Sequence, residues 1–291
     1  MRFSRLGILV LISFTVLIGT NCSYYNRVLA RKNLVDGASA YKNRKFQEAE
    51  QLFRNAVARD PDAKTLEGKT AQLFLARTLH SEFIGDRQNK PKAEEAIKEY
   101  QKVLKEDVKD QSSFKAVANL YETLGKNDEW LSWVTERTTN PEVPKEMKAE
   151  AFTSLANKKN TCASEISDVE AVKKTVTGKD GKQVFQFVKP ADPAEFEKLK
   201  QCANEGLELA NKAVENDPNS DAAWSYKTSL LVQKMRVAEM EGNTAEKDSL
   251  KKEADDAKAK FTVLAEAKKK KEEEEAAKKK AEEEAANTKK K

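Results

Sequence analysis

Histidine occurs once in the 291 residues, at position 80. A single imidazole leaves no His pair for a metal and a poor basis for a Ser-His-Asp triad. No Gly-x-Ser-x-Gly or Cys-x-x-Cys segment is present. Glycine (10) and proline (7) are too few for the many turns of a β-sandwich or barrel. Aromatic residues are 7% of the chain, whereas charged residues are 35%. The net charge of +5 misleads if read alone. Arg2 and Arg5 carry +2, and ten Lys against seven Glu after position 266 carry +3, so residues 22–266 are neutral. A neutral body of mixed sign lacks the electrostatic footprint for nucleic acid. Gly68-Lys69-Thr70 lacks the upstream glycine of a phosphate loop, since Ala63 stands there, and no strand precedes it. No cofactor, metal site or catalytic residue is expected.

What is abundant is Ala, Glu, Lys and Leu, a helix-forming mixture. At the N-terminus the basic head MRFSR precedes an apolar run over 6–18, then Gly19, Thr20, Asn21 and Cys22. This is the layout of an export signal over 1–21, and the run is short for a membrane span. With Cys22 directly after the run, the segment resembles a bacterial lipoprotein signal. That resemblance implies lipidation at Cys22, with Thr20 fitting and Gly19 and Asn21 departing from the usual pattern. It also implies the outer membrane, because Ser23 is not aspartate. An uncleaved signal anchor and simple secretion are the other two readings. All three put the body outside the cytoplasm, facing the periplasm or the exterior. Residues 22–30 are then a membrane-proximal linker.

Four ungapped segments repeat: 49–62 AEQLFRNAVARDPD, 96–109 AIKEYQKVLKEDVK, 206–219 GLELANKAVENDPN and the more divergent 129–142 EWLSWVTERTTNPE. In the first three, a small residue is followed by an aromatic or Ala four later, then Ala or Val, then a bulky aliphatic, and Asp-Pro or Asp-Val closes the unit. The 3–4 spacing is a helical face, and the proline ends the helix. The pattern resembles the second helix of the tetratricopeptide repeat. Gly37, Ala49, Phe53, Ala56 and Pro61 match that repeat in register, as does Trp224 for the first-helix Trp, while Asn33 departs from it. The resemblance implies an all-α right-handed solenoid over 31–266, in five helix pairs: 31–61, 64–109, 110–141, 144–218 and 219–266. Two insertions are expected. Ile84–Pro91 is polar and turn-like. About 163–193 holds VKKTVTG and KQVFQFVKP around Gly178 and Gly181, which reads as a β-hairpin.

Stacked first helices of such a solenoid line a groove. By resemblance, its positions are Leu34, Ala38 and Tyr41; Leu73, Arg77 and His80; Phe114, Ala118 and Tyr121. The family's Lys/Asn carboxylate clamp is absent from these positions. If Cys22 is lipidated, Cys162 and Cys202 remain at the base of the insertion and are expected to form a disulfide in an oxidising compartment, with two buried thiols as the alternative. Residues 267–291 form a Lys/Glu tail with i, i+4 pairs and no apolar heptad, read as a solvated, partly helical rod. The expected function is a non-catalytic scaffold or adaptor of the cell envelope that binds proteins or peptides in the groove. The alternative is a structural stalk whose tail contacts the cell wall.

Overall fold

A computed structural model describes residues 5–178 and 181–288, with side chains over 24–178 and 181–283. The export segment and the Cys22 side chain lie outside the described side chains. Among the described residues no helix is long and apolar enough to cross a membrane. The chain divides into two compact units, Met1–Trp130 and Leu131–Lys291.

The first unit contains α1 (Arg5–Lys42), α2 (Phe46–Arg59), α3 (Leu66–Gly85), α4 (Lys90–Glu106), α5 (Gln111–Thr123) and the start of α6 (Asn127–Thr139). The repeat positions are its core. Ala49, Phe53 and Ala56 on α2 are fully buried, as are Ala93 and Ala96 on α4. Alanine lets neighbouring helices approach, and each buried aromatic contributes roughly 1.5–3 kcal/mol of hydrophobic stabilisation. The starts of α3 and α5 are capped by side-chain oxygens. Thr65 Oγ1 accepts from the Gly68 N–H at 3.0 Å, and Asp110 Oδ1 accepts from the Ser113 N–H at 2.8 Å.

The second unit holds α7 (Lys145–Ser167), the strands β1 (Lys173–Thr177) and β2 (Gln183–Phe187), α8 (Pro193–Asn216), α9 (Asp221–Glu241) and α10 (Thr244–Thr288). The strands pair antiparallel with Thr175 opposite Phe185. The base of this hairpin sits on an apolar cluster of Ala163, Ile166, Val172, Phe196, Leu199, Cys202 and Met240. Cys162 and Cys202 are bonded, with Cα atoms 6.1 Å apart. A polar network lies alongside. Gln233 donates to Ser164 Oγ at 2.8 Å, Ser167 donates to Gln233 Oε1 at 2.9 Å, and Arg236 donates to Ser167 Oγ at 2.8 Å. Arg236 also pairs with Asp168 at 3.1 Å.

The fold is all-α and tetratricopeptide-like, and among the described residues ten helices follow the five expected pairs along the chain. Four boundaries differ from expectation. Residues 24–30 of the expected linker are helical and belong to α1, because no Gly or Pro interrupts 20–36 and Ala30 is buried. Arg27 anchors this stretch to Glu67 at 3.0 Å. The Ile84–Pro91 insertion shrinks to residues 86–89, since α3 runs to Gly85 and α4 accepts Pro91 in its first turn. The larger insertion begins at 168, because α7 continues through Ala163 to Ser167. The tail is not separate: α10 runs unbroken through Glu266 and Ala267.

Candidate functional site

The first helices of the pairs in the first unit carry the partly exposed side chains. Leu34, Ala38 and Tyr41 on α1, Leu73, Arg77 and His80 on α3, and Ala118 and Tyr121 on α5 are all half-buried. Phe114 is buried at 5% exposure, so it belongs to the core and does not line the face as expected. Its larger ring fills an inward position of a short helix whose buried side also includes Val117 and Leu120.

The structure brings Tyr41 and Arg77 together through two residues outside the expected set. The Tyr41 ring meets the edges of Phe46 at 5.4 Å and Phe74 at 6.1 Å. Phe74 stacks on buried Phe53 at 5.4 Å, which fixes its plane. The Arg77 guanidinium lies 5.7 Å from the centre of the same Phe74 ring and donates to Ser112 Oγ at 3.4 Å. The Tyr41 hydroxyl and Ser81 Oγ are 3.0 Å apart. Ser81 donates its proton to the Arg77 carbonyl at 2.9 Å, so Tyr41 is the donor to Ser81. The result is an aromatic and cationic surface whose side chains are held in place by one another.

His80 and Tyr121 join a second cluster on α4. His80 Nδ1 stands 3.4 Å from the Tyr100 hydroxyl, with the rings edge to face at 6.0 Å. Burial, and secondarily the charge of Arg87, lower the His80 pKa, so the imidazole is neutral at neutral pH. Gln101 donates to the Tyr121 hydroxyl at 3.4 Å. Leu73 points elsewhere: it lines a cavity of about 530 Å³ with Pro61, Ala63, Lys69 and Val103. Phe74 and Ser81 lie outside the expected set but belong to this face. Their signal was the 74, 77, 81 spacing, the same helical face as 34, 38, 41.

Behind this face, α2, α3 and α4 share an ion network. Lys92 bridges Glu50 at 2.5 Å and Glu82 at 2.8 Å, and Arg54 bridges Glu50 at 2.7 Å and Glu95 at 2.6 Å. Burial works against the Glu50 carboxylate, but hydrogen bonds from Lys92 and Arg54 outweigh it and lower its pKa. Burial raises the Glu82 pKa, the Lys92 hydrogen bond opposes this, and the nearby Glu50 charge adds to the rise. Among the described residues no group of three or more His, Cys, Asp or Glu could hold a metal ion.

No known family profile matches the chain. No curated protein matches it either. Solved structures do resemble it. A MamA double mutant is 12% identical at TM-score 0.42, covering 82% of this chain and 96% of its own. YrrB, described as a TPR protein with an unusual peptide-binding site, is 14% identical at TM-score 0.40, covering 86% and 97%. The pilF protein of Pseudomonas aeruginosa is 11% identical at TM-score 0.38, covering 77% and 90%. At these scores and identities the likeness carries no role over to this chain.

Proposed function

We propose that this protein is a non-catalytic adaptor of the bacterial cell envelope that binds a protein or peptide partner on the α1–α3–α5 face of its first unit. The observation that carries the reading is the Tyr41–Phe74–Arg77 arrangement. It is a half-exposed aromatic pair under a guanidinium, locked by Ser81 and by the stack on buried Phe53. Preorganised aromatic and arginine side chains are the groups that dominate protein recognition, because they lose little entropy on binding. The basic head, the apolar run 6–18 and Cys22 support export and lipid attachment, with the body facing the periplasm from the outer membrane.

A photo-crosslinking residue placed at position 41 in native cells tests the binding face, with position 98 on the exposed side of α4 as control. A partner captured at 41 and not at 98 supports the adaptor. Equal capture at both positions contradicts it. For the anchor, Cys22→Ala should abolish fatty-acid labelling, and unchanged labelling contradicts lipidation at that site.

One observation favours a second reading, a stalk. Lys268 on α10 pairs with Asp221 at the start of α9 at 3.1 Å. Beyond it the helix continues to Thr288, about 30 Å of charged rod held by i, i+4 pairs such as Lys269–Glu273.

A further inference from the structure

Among the described residues the hairpin in the second unit is a sheet of two strands with no third strand beside it. A lone two-stranded hairpin is marginal in water, and this one is held at its base. The Phe187 ring lies 4.6 Å from the Arg236 guanidinium, and the Phe187 N–H donates to Glu239 Oε1 at 3.0 Å. The Val188 N–H donates to the Val172 carbonyl at 2.9 Å, and the Gly178 N–H to the Lys182 carbonyl at 2.7 Å. In an antiparallel ladder, bonded pairs alternate with unbonded ones. These two bonds therefore turn the even-numbered residues of β2 toward β1 and the odd-numbered residues outward. Glu239 takes the outward N–H of Phe187, which leaves the outward backbone groups of Gln183 and Phe185 as an open edge.

Open edges are usually blunted by charge, proline or a bulge. The run Gln183–Val188 has none of these, and Phe185 and Val184 are 59% and 45% exposed. The described charged residues within the hairpin are all lysines, Lys173, Lys174, Lys182 and Lys189, while Asp168 pairs with Lys173 and Glu239 caps the base. Residues 171–191 contain five lysines and one aspartate, and the described part contains no acidic residue. Two copies pairing through β2 would bring these lysines together, so the charge disfavours self-association and favours an acidic strand.

The geometry points to the outer edge of β2 as a docking strand for an extended acidic segment of a partner protein, added antiparallel or parallel as a third strand. Backbone bonds to Gln183 and Phe185 hold the segment, Phe185 supplies apolar contact, and the lysine-rich flanks select its charge. This surface is distinct from the α1–α3–α5 face and does not depend on it.

The probe is a seven-residue peptide of alternating Glu and Val, with an alternating Lys and Val peptide as control, titrated into the full chain. The acidic peptide should bind, shift the amide resonances of Gln183 and Phe185, and protect both from hydrogen exchange. The basic peptide should not. Phe185→Pro removes one outward N–H and no bond of the internal ladder, so it should weaken binding by about tenfold. Phe185→Ala, which keeps that N–H, should weaken it less. Protection measured on the unmodified chain keeps the test sound if the proline variant misfolds. Equal binding of both peptides, shifts that map away from 183–187, or self-association lost with Phe185→Ala would each overturn the proposal.

Discussion

The ring of Phe53 lies directly over Gly37: a Cβ built on that glycine would stand 2.7 Å from Phe53 Cε1. Phe53 cannot yield, since it is fully buried and stacked on Phe74 at 5.4 Å. Helical glycine normally gains about 1 kcal/mol on replacement by alanine. Here overpacking reverses the sign, and Gly37→Ala should cost about 1–3 kcal/mol. Gly85, where a Cβ would meet nothing within 4 Å, is the control, and Gly85→Ala should be neutral or stabilising. Thermal midpoints of the two variants check the pair.

This contact explains why the repeat was legible. Gly37, Ala49, Phe53 and Ala56 are set by close helix packing, and packing fixes residue size at a fixed spacing. The hairpin was legible for a similar reason, since β-branched and aromatic residues flank its two glycines. The proposed face on α1, α3 and α5 was less so. A half-buried position tolerates several residue types, so nothing in the sequence separated Leu73 from Phe74. His80 turns to Tyr100, a partner twenty residues away on α4. Arg236 and Glu239, which hold the hairpin base, lie about fifty residues beyond it, and local pattern gives no sign of such pairings.

The Cys162–Cys202 link closes a segment that contains the whole hairpin. In the chain-entropy account its loss costs about 4 kcal/mol. Cys162→Ser should lower the thermal midpoint of the second unit accordingly. A non-reducing peptide map should contain one linked fragment that reduction separates. Free thiols at both positions in the purified protein would contradict the link.

Glu82 sets a pH dependence. Its pKa stands above the ordinary 4.5 because burial disfavours the charge, so the folded chain keeps a proton that the unfolded chain releases. The penalty is absent below the unfolded value and grows as pH rises through the folded one. Glu50, with its pKa lowered, acts in the opposite sense and loses its contribution as pH falls. Glu82→Gln keeps the shape without the charge. It should stabilise the protein by about 1 kcal/mol at pH 7 and by nothing measurable at pH 4. Thermal unfolding at the two pH values reads the difference.

Truncation should divide α10 in two. Leu250, Ala254 and Ala257 pack on Leu231 and Ala238 of α9. Residues 269–283 are exposed. Removing 269–291 should leave the unfolding free energy within about 0.5 kcal/mol of the full chain. Removing 250–291 uncovers Leu231 and should cost about 3 kcal/mol or more.

The proposed role of the face around Tyr41 and Arg77 is to bind a partner. The most direct measurement is the affinity of the partner crosslinked at position 41, purified, for the unmodified chain and for the Tyr41→Ala, Arg77→Ala double variant, with helicity matched by circular dichroism. A loss of about tenfold or more is expected, as for removal of an aromatic and an arginine anchor. An affinity equal to that of the unmodified chain would contradict it.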